Sequence, residues 1–360
     1  MKRILILTLI AVLLLGLCAC GTPETTSTGA DTTANTLPVP TQDADPTMTG
    51  TPVATKERTD NGTATEGVLR VYSLKGPTSM GLATLLRDSE AGKTEIRYES
   101  TVCTAADEVT AALINGTADV ALLPANAAAT LFSKSQTFTA VAINTLGVLY
   151  VVENGDTIHS VKDLAGKTVC LTGKGTTPEY SLRYLLAAYG IEDRVTLEFK
   201  SEAQEVVTAM TENVATIGVL PQPFVTAATM QNEQLRVALS LSEEWDAVSE
   251  DSAMVTGVTV IRNEILLKYP DMVKTFLQEA AFGVETVNND PAAAAELIVN
   301  MGIVAKAPIA EKAIPNCNLV CITGSEMKTL LSGYLKTLYE QNPKAVGEKL
   351  PEDYFYYVGE

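Results

Sequence analysis

Two short segments carry residue types suited to holding a polar or anionic group. Lys75-Gly76-Pro77-Thr78-Ser79 follows the apolar run Val71-Tyr72-Ser73-Leu74, and Lys174-Gly175-Thr176-Thr177-Pro178 follows Thr168-Val169-Cys170-Leu171. A helix that starts at such a turn leaves its first backbone N–H groups unpaired and carries partial positive charge there. Gly76 and Gly175 let the backbone approach a ligand closely, and the hydroxyls of Thr78, Ser79, Thr176 and Thr177 both donate and accept. The expected ligand-binding set is therefore Thr78, Ser79 and Met80 from one segment with Gly175, Thr176, Thr177 and Pro178 from the other. Asn126 and Gln222, just past the strand-end prolines Pro124 and Pro221, complete its sides. The alternative is that these are only the caps and turns of ordinary α/β units. Lys75 and Lys174 either clamp an anion or point into solvent. Neither turn contains an Arg, so the two-pronged fork that grips a carboxylate or sulfonate is missing.

Catalytic machinery is not visible. The single histidine, His159, lies in a polar loop, and no Gly-x-Ser-x-Gly elbow supplies a nucleophile. Gly173-Lys174-Gly175-Thr176-Thr177-Pro178 begins like a dinucleotide fingerprint but ends in Pro where close helix packing wants Gly. Gly166-Lys167-Thr168 has the end of a phosphate-binding loop, yet Val161 stands where its first Gly belongs. One His and scattered Cys residues offer no metal set, so neither metal, cofactor nor enzyme activity is expected. Cys317 and Cys321 are spaced to close a disulfide; the other reading is four free thiols, with Cys103 and Cys170. Trp245, the only tryptophan, either stacks on a flat ligand ring or is a half-buried surface aromatic. Tyr354-Phe355-Tyr356-Tyr357 is expected to pin the C-terminus to the body.

The elements that position these residues alternate from the start of the body. Strand patterns at Leu69 to Leu74, Glu95 to Glu99 and Asp119 to Leu123 enclose helical patterns at Ser79 to Asp88 and Ala105 to Asn115, the order of a mostly parallel α/β sheet. The order then repeats weakly, from Thr168 to Pro221, which implies two similar lobes. Val141 to Glu153 is read as a strand passing from one lobe to the other, and Val255 to Ile261 as the strand that returns. Helices are predicted at Glu264 to Leu267, Pro270 to Asn288 and Pro291 to Met301, with both prolines at first turns.

Three phrases in this order resemble the solute-binding proteins of ABC importers, of the nitrate, sulfonate, taurine and thiamine-pyrimidine type. They are Gly116-Thr117-Ala118-Asp119-Val120-Ala121, Ser160-Val161-Lys162-Asp163-Leu164-Ala165-Gly166-Lys167-Thr168-Val169 and Leu267-Lys268-Tyr269-Pro270-Asp271-Met272-Val273. The resemblance covers about Val68 to Met301 and leaves the tail from Ala305 unassigned. It implies the type II periplasmic-binding fold: two α/β lobes joined by a two-strand hinge, lobe 1 from residues 68–143 plus 262–360 and lobe 2 from 144–261. It further implies a monomer that captures a small-molecule solute between its lobes and passes it to a membrane permease subunit. A surface sensor or adhesion lipoprotein is the alternative, and a biosynthetic enzyme on the same fold a more distant one.

Met1-Lys2-Arg3, the apolar run Ile4 to Leu17 and then Cys18-Ala19-Cys20 follow the order of an export signal. The run is shorter than the ~20 residues a spanning helix needs. Leu17-Cys18-Ala19-Cys20 resembles the lipobox of bacterial lipoproteins, which implies signal removal after residue 19, lipid on Cys20 and an extracytoplasmic, membrane-tethered protein. Residues 20–67, rich in Thr, Pro, Asp and Gly, bury too little surface to offset chain entropy and are expected to form a disordered leash. A net charge of −17 argues against nucleic acid and against an electrostatic grip on anionic lipid.

Overall fold

The computed structural model describes residues 67–359; the expected signal, Cys20 and nearly all of the leash lie outside them. The first part of the chain runs β1 (Val68–Leu74), α1 (Pro77–Met80), α2 (Ala83–Glu90), β2 (Arg97–Cys103), α3 (Ala106–Ile114), β3 (Val120–Pro124), α4 (Ala125–Phe132) and β4 (Phe138–Leu146). The middle part runs β5 (Leu149–Asn154), β6 (Thr168–Leu171), α5 (Thr177–Ala188), β7 (Thr196–Phe199), α6 (Ala203–Thr211), β8 (Ile217–Pro221), α7 (Phe224–Gln231), β9 (Leu235–Ser240) and α8 (Leu241–Asp246). The last part contains β10 (Val255–Arg262), α9 (Asn263–Lys268), α10 (Pro270–Asn289), α11 (Pro291–Asn300), α12 (Ala307–Ala313), β11 (Leu319–Ile322) and α13 (Gly324–Gln341).

Two mixed sheets result, one per lobe: β11-β4-β10-β3-β1-β2 and β7-β6-β8-β5-β9. In the first, β1 runs parallel to β2 and β3, while β10 is antiparallel to β3 and β4 with Gly257 opposite Pro124 and Val255 opposite Leu146. In the second, β6 runs parallel to β7 and β8, and β5 is antiparallel to β8 with Leu149 opposite Pro221. These registers put the C-terminal ends of the parallel strands on the same edge as the passage from β4 to β5. That edge is where open α/β sheets bind ligands.

The two crossings differ from expectation. The stretch from Val141 to Glu153 is two strands, one in each sheet, joined by Gly147 and Val148. Gly147 passes so close to the Ser242 hydroxyl and the Met254 side chain that a Cβ would collide with both. Val255 to Ile261 belongs to the first sheet, and the return is made by α8 and residues 247–254. The lobe boundaries expected at 143/144 and 261/262 thus fall inside strands of the first sheet. The helix expected from Ser79 to Asp88 breaks into α1 and α2 around Gly81, where a Cβ would press on Val284 of α10.

Helix α10 buries Val273, Phe276, Ala280, Gly283 and Val287, the three- and four-residue spacing of one helical face. The unassigned tail completes the first lobe: β11 adds an edge strand beside β4, and α13 packs on both lobes. One continuous apolar core joins Ile143 and Val258 of the first sheet, Val151, Val219 and Leu185 of the second lobe, and Leu331, Tyr334 and Leu335 of α13. At the far edge of the first sheet, buried Asp119 is gripped by Arg70 through two side-chain bonds of 2.6 and 2.8 Å. Among the described residues no helix is long and apolar enough to cross a membrane.

Candidate functional site

Between the lobes lies a groove of about 520 Å³. Tyr150 of β5, Gln222 at the end of β8, and Val225, Thr226 and Thr229 of α7 form its second-lobe wall; Glu233 and Val237 extend it. Lys312 of α12 and Asn316, just before β11, form the first-lobe wall. The floor is tied across the lobes, because the Tyr150 hydroxyl donates to the Asn316 carbonyl at 2.7 Å. Asn316 is itself held by its side-chain amide, which donates to the Lys312 carbonyl at 3.2 Å.

Strand register explains why Gln222 is there. Its N–H donates to the Val148 carbonyl at 2.9 Å, which anchors the end of β8 to the crossing, and its Oε1 accepts from the Thr226 hydroxyl at 2.8 Å. The amide oxygen is thereby used and the amide N–H₂ is left as donor. On the other side of the Tyr150–Asn316 tie a smaller groove of about 210 Å³ is lined by Glu243 and Asp246, with Ser240, Ser242 and Asn318. Burial, reinforced by Glu243, pushes the Asp246 carboxyl above its ordinary range. Two carboxylates repel an anion there, whereas the larger groove sets one ammonium against one carboxylate.

The residues expected from the Lys-Gly turns fare differently. Thr78 and Ser79 are buried, and both hydroxyls turn back to the Leu74 carbonyl, at 2.9 and 2.6 Å; Ser79 also meets the Ser73 hydroxyl at 2.8 Å. Met80 is wholly buried among Ala83, Val287 and Ala294, so it is a core residue and not a cleft residue. Asn126, in the first turn of α4, is half-buried. In the second turn Gly175 adopts a left-handed φ of 73°, and its N–H donates to the Glu179 carboxylate at 2.7 Å. Thr176 is exposed, with its hydroxyl on the Gly173 carbonyl at 2.7 Å, while Thr177 and Pro178 are half-buried. A carboxylate of the protein already answers this helix N-terminus, so the anion expected there has a competitor. Burial works against the charge on Glu179, but the Gly175 N–H and Arg183 outweigh it and hold its carboxyl low. The Lys174 ammonium lies 5.7 Å over the Phe199 ring instead of clamping an anion, and Lys75 is exposed. Of the nine expected residues, Gln222 alone lines the larger groove.

The family model described as the ABC transporter, phosphonate, periplasmic substrate-binding protein matches residues 86–299, more than half of the chain. The chain belongs to this family. Solved structures agree on the fold. An ABC transporter structure from Parabacteroides distasonis has a TM-score of 0.69 at 22% identity, covering 81% of this chain and 99% of that one. The periplasmic aliphatic sulphonate binding protein from Escherichia coli gives 0.63 at 16%, covering 82% and 94%. The alkanesulfonate-binding protein from Xanthomonas axonopodis pv. citri, bound to MOPS, gives 0.57 at 14%, covering 81% and 96%. No curated protein sequence matches the chain. The chain is therefore the periplasmic substrate-binding component of an ABC importer, not an enzyme.

In this binding protein Trp245 is not available to a ligand ring. It is fully buried, donates from Nε1 to Ser252 at 2.9 Å, and packs against Tyr184 at 4.3 Å and Tyr334 at 5.5 Å between ring centres. Both expectations for it, ligand stacking and half-burial at the surface, are overturned. Cys103, Cys170, Cys317 and Cys321 are free thiols. Phe355 does pin the tail, against Phe132 at 4.7 Å, and the Tyr357 N–H donates to Ala140 at 2.9 Å. Sequence reasoning missed Tyr150, Thr226, Lys312 and Asn316. Thr226 lies four residues after Gln222, one helical turn on, and was within reach of that reasoning. Lys312 and Asn316 lie beyond the matched residues and carried no signal.

Proposed function

We propose that the binding protein captures a small polar or anionic organic solute in the 520 Å³ groove and delivers it to a membrane permease, acting as a monomer tethered by lipid on Cys20. The Gln222 amide N–H₂ and the Lys312 ammonium supply donors, the Thr229 hydroxyl, whose proton goes to the Val225 carbonyl at 3.0 Å, supplies an acceptor, and Tyr150 and Asn316 form the floor. Thr78, Ser79, Asn126, Gly175, Thr176, Thr177 and Pro178 act mainly by building the strand-end turns around it. The observation that carries this reading is the groove itself, walled by both lobes and tied across its floor by the Tyr150–Asn316 bond of 2.7 Å. A solute touching both walls favours whichever lobe setting it binds more tightly, and that preference is what drives closure.

Thermal-shift and calorimetric titration with methylphosphonate, ethanesulfonate, succinate and a neutral control tests it. A solute at 100 times its Kd stabilises the fold by about 2.7 kcal/mol. Gln222→Ala and Lys312→Gln are expected to weaken binding tenfold or more, and Thr78→Ala with Thr177→Ala less than threefold. Equal affinity of the groove variants and wild type would move the site elsewhere. Tethering is tested separately, since Cys20→Ser should release the protein from the membrane fraction.

A further inference from the structure

Helix α13 meets α5 of the second lobe along a largely apolar seam, tied at the C-terminal end of α13 by the Asn342 amide, which donates to the Tyr180 hydroxyl at 2.6 Å. Leu182, Leu185 and Leu186 of α5 and Leu331, Leu335 and Leu338 of α13 belong to the same buried core. Tyr334, in the middle of α13, is wholly buried there. Its hydroxyl has no hydrogen-bond partner among the described residues, and neither has the buried hydroxyl of Ser181 on α5. Burying an unpaired hydroxyl is costly, so two at one seam need a reason.

Ser181 and Thr177 stand four residues apart on α5, on the same face and ~6 Å apart along its axis. Burial pushes the Tyr334 phenol up to about 12, and the hydroxyls of Ser181 and Thr177 both act against that rise. The Tyr334 oxygen thus lies within reach of both hydroxyls, while neither meets it in full hydrogen-bond geometry. In switching transitions packed helices shift past one another by ~1–2 Å, and shifts in opposite directions along α5 would favour one hydroxyl or the other. Gly333 brings α13 so close to the Asp251–Ser252 backbone that a Cβ would clash, and Trp245 is wedged between Tyr184 and Tyr334.

We propose that the α5–α13 seam is a two-position joint between the lobes, with Tyr334 bonded to Ser181 in one setting and to Thr177 in the other. Tyr334 is then a positioning residue: it touches no solute but sets how the second lobe sits against the first. The inference concerns the protein's own conformations and does not depend on where a solute binds.

The single tryptophan makes the test direct. With 5-fluorotryptophan incorporated into the full chain, every ¹⁹F signal reports on position 245. Two resonances, or one broadened by exchange, are expected for wild type. Ser181→Ala and Thr177→Val should shift the populations in opposite directions, and Tyr334→Phe should abolish the response to either change. A role in packing alone predicts no such opposition. One sharp resonance insensitive to both α5 variants overturns the joint, as do shifts in the same direction. Melting curves of each variant verify that it folds.

Discussion

Tyr150 and Asn316 are 166 residues apart in the chain, yet a single 2.7 Å hydrogen bond joins the phenol of one to the main-chain carbonyl of the other. The bond crosses between the lobes at the point where the two grooves adjoin. It couples the start of the second sheet to a tail segment that the family model does not reach.

Replacing Tyr150 with Phe removes that tie and leaves the Asn316 carbonyl with one partner fewer. A loss of about 1 kcal/mol is expected in urea melts. Burial first, then the neighbouring Cys317 and Glu243, pushes the Tyr150 phenol up to about 12 from an ordinary 10. The folded form therefore holds its proton more tightly than the unfolded one. Its contribution is complete below pH 10 and is lost as pH rises toward 12. Tyr150→Phe should flatten that part of the alkaline melting profile.

At the opposite end of the second sheet, buried Glu153 accepts from the Thr157 hydroxyl and N–H and from the Ile158 N–H, and pairs with Arg236 at 2.7 Å. Burial opposes its charge, but these bonds prevail and hold the carboxyl below its ordinary range. Its stabilisation is present above the unfolded carboxylate pKa and is lost as pH falls through the lower folded value. Glu153→Ala is expected to cost roughly 3 kcal/mol at neutral pH and to weaken the acid limb of the stability profile. Calorimetric melts between pH 3 and 7 measure both effects.

Gly333→Ala places a methyl group against the Asp251 carbonyl and the Ser252 side chain. Backbone approaches closely from both sides, α13 on one and the return crossing on the other. A destabilisation of about 1–3 kcal/mol is expected, with reduced native-like Trp245 fluorescence near the midpoint.

The thiols give a kinetic prediction. Burial pushes Cys317 up to about 12 and Cys321 up to about 11, while Cys103 and Cys170 are buried. Alkylation of the folded body at pH 8 should be slow at all four and first at half-buried Cys321. Reductant should leave the melting temperature unchanged, because none of the four is in a disulfide.

The α/β alternation was legible because strand and helix periods differ locally, as in Val68–Leu74 and Ala106–Ile114. The site was less so. Lys-Gly-x-Thr turns were identified correctly as turns at strand ends, but sequence does not reveal that Glu179 takes the Gly175 N–H or that Thr78 and Ser79 spend their hydroxyls on Leu74. Those choices are made by side chains a few residues away, and either outcome fits the same pattern. The tail was opaque for another reason: β11 has four residues, and its pairing with β4 is contact over a long sequence separation. Trp245 was misjudged because its acidic neighbours Glu243, Glu244 and Asp246 suggest a surface, while one helix face carries it into the core.

The strand order β11-β4-β10-β3-β1-β2 sets a timetable for folding. Neighbours in this sheet come from the beginning, the middle and the end of the chain, so three of its six strands have a partner that is made later. The second sheet, by contrast, is built from an uninterrupted stretch, Leu149 to Ser240. As the polypeptide emerges N-terminus first, the lobe that starts earliest finishes last, and its completion waits for residues near 322. For a chain that crosses a membrane unfolded and N-terminus first, this arrangement delays the closing of the first lobe until nearly all of it has arrived.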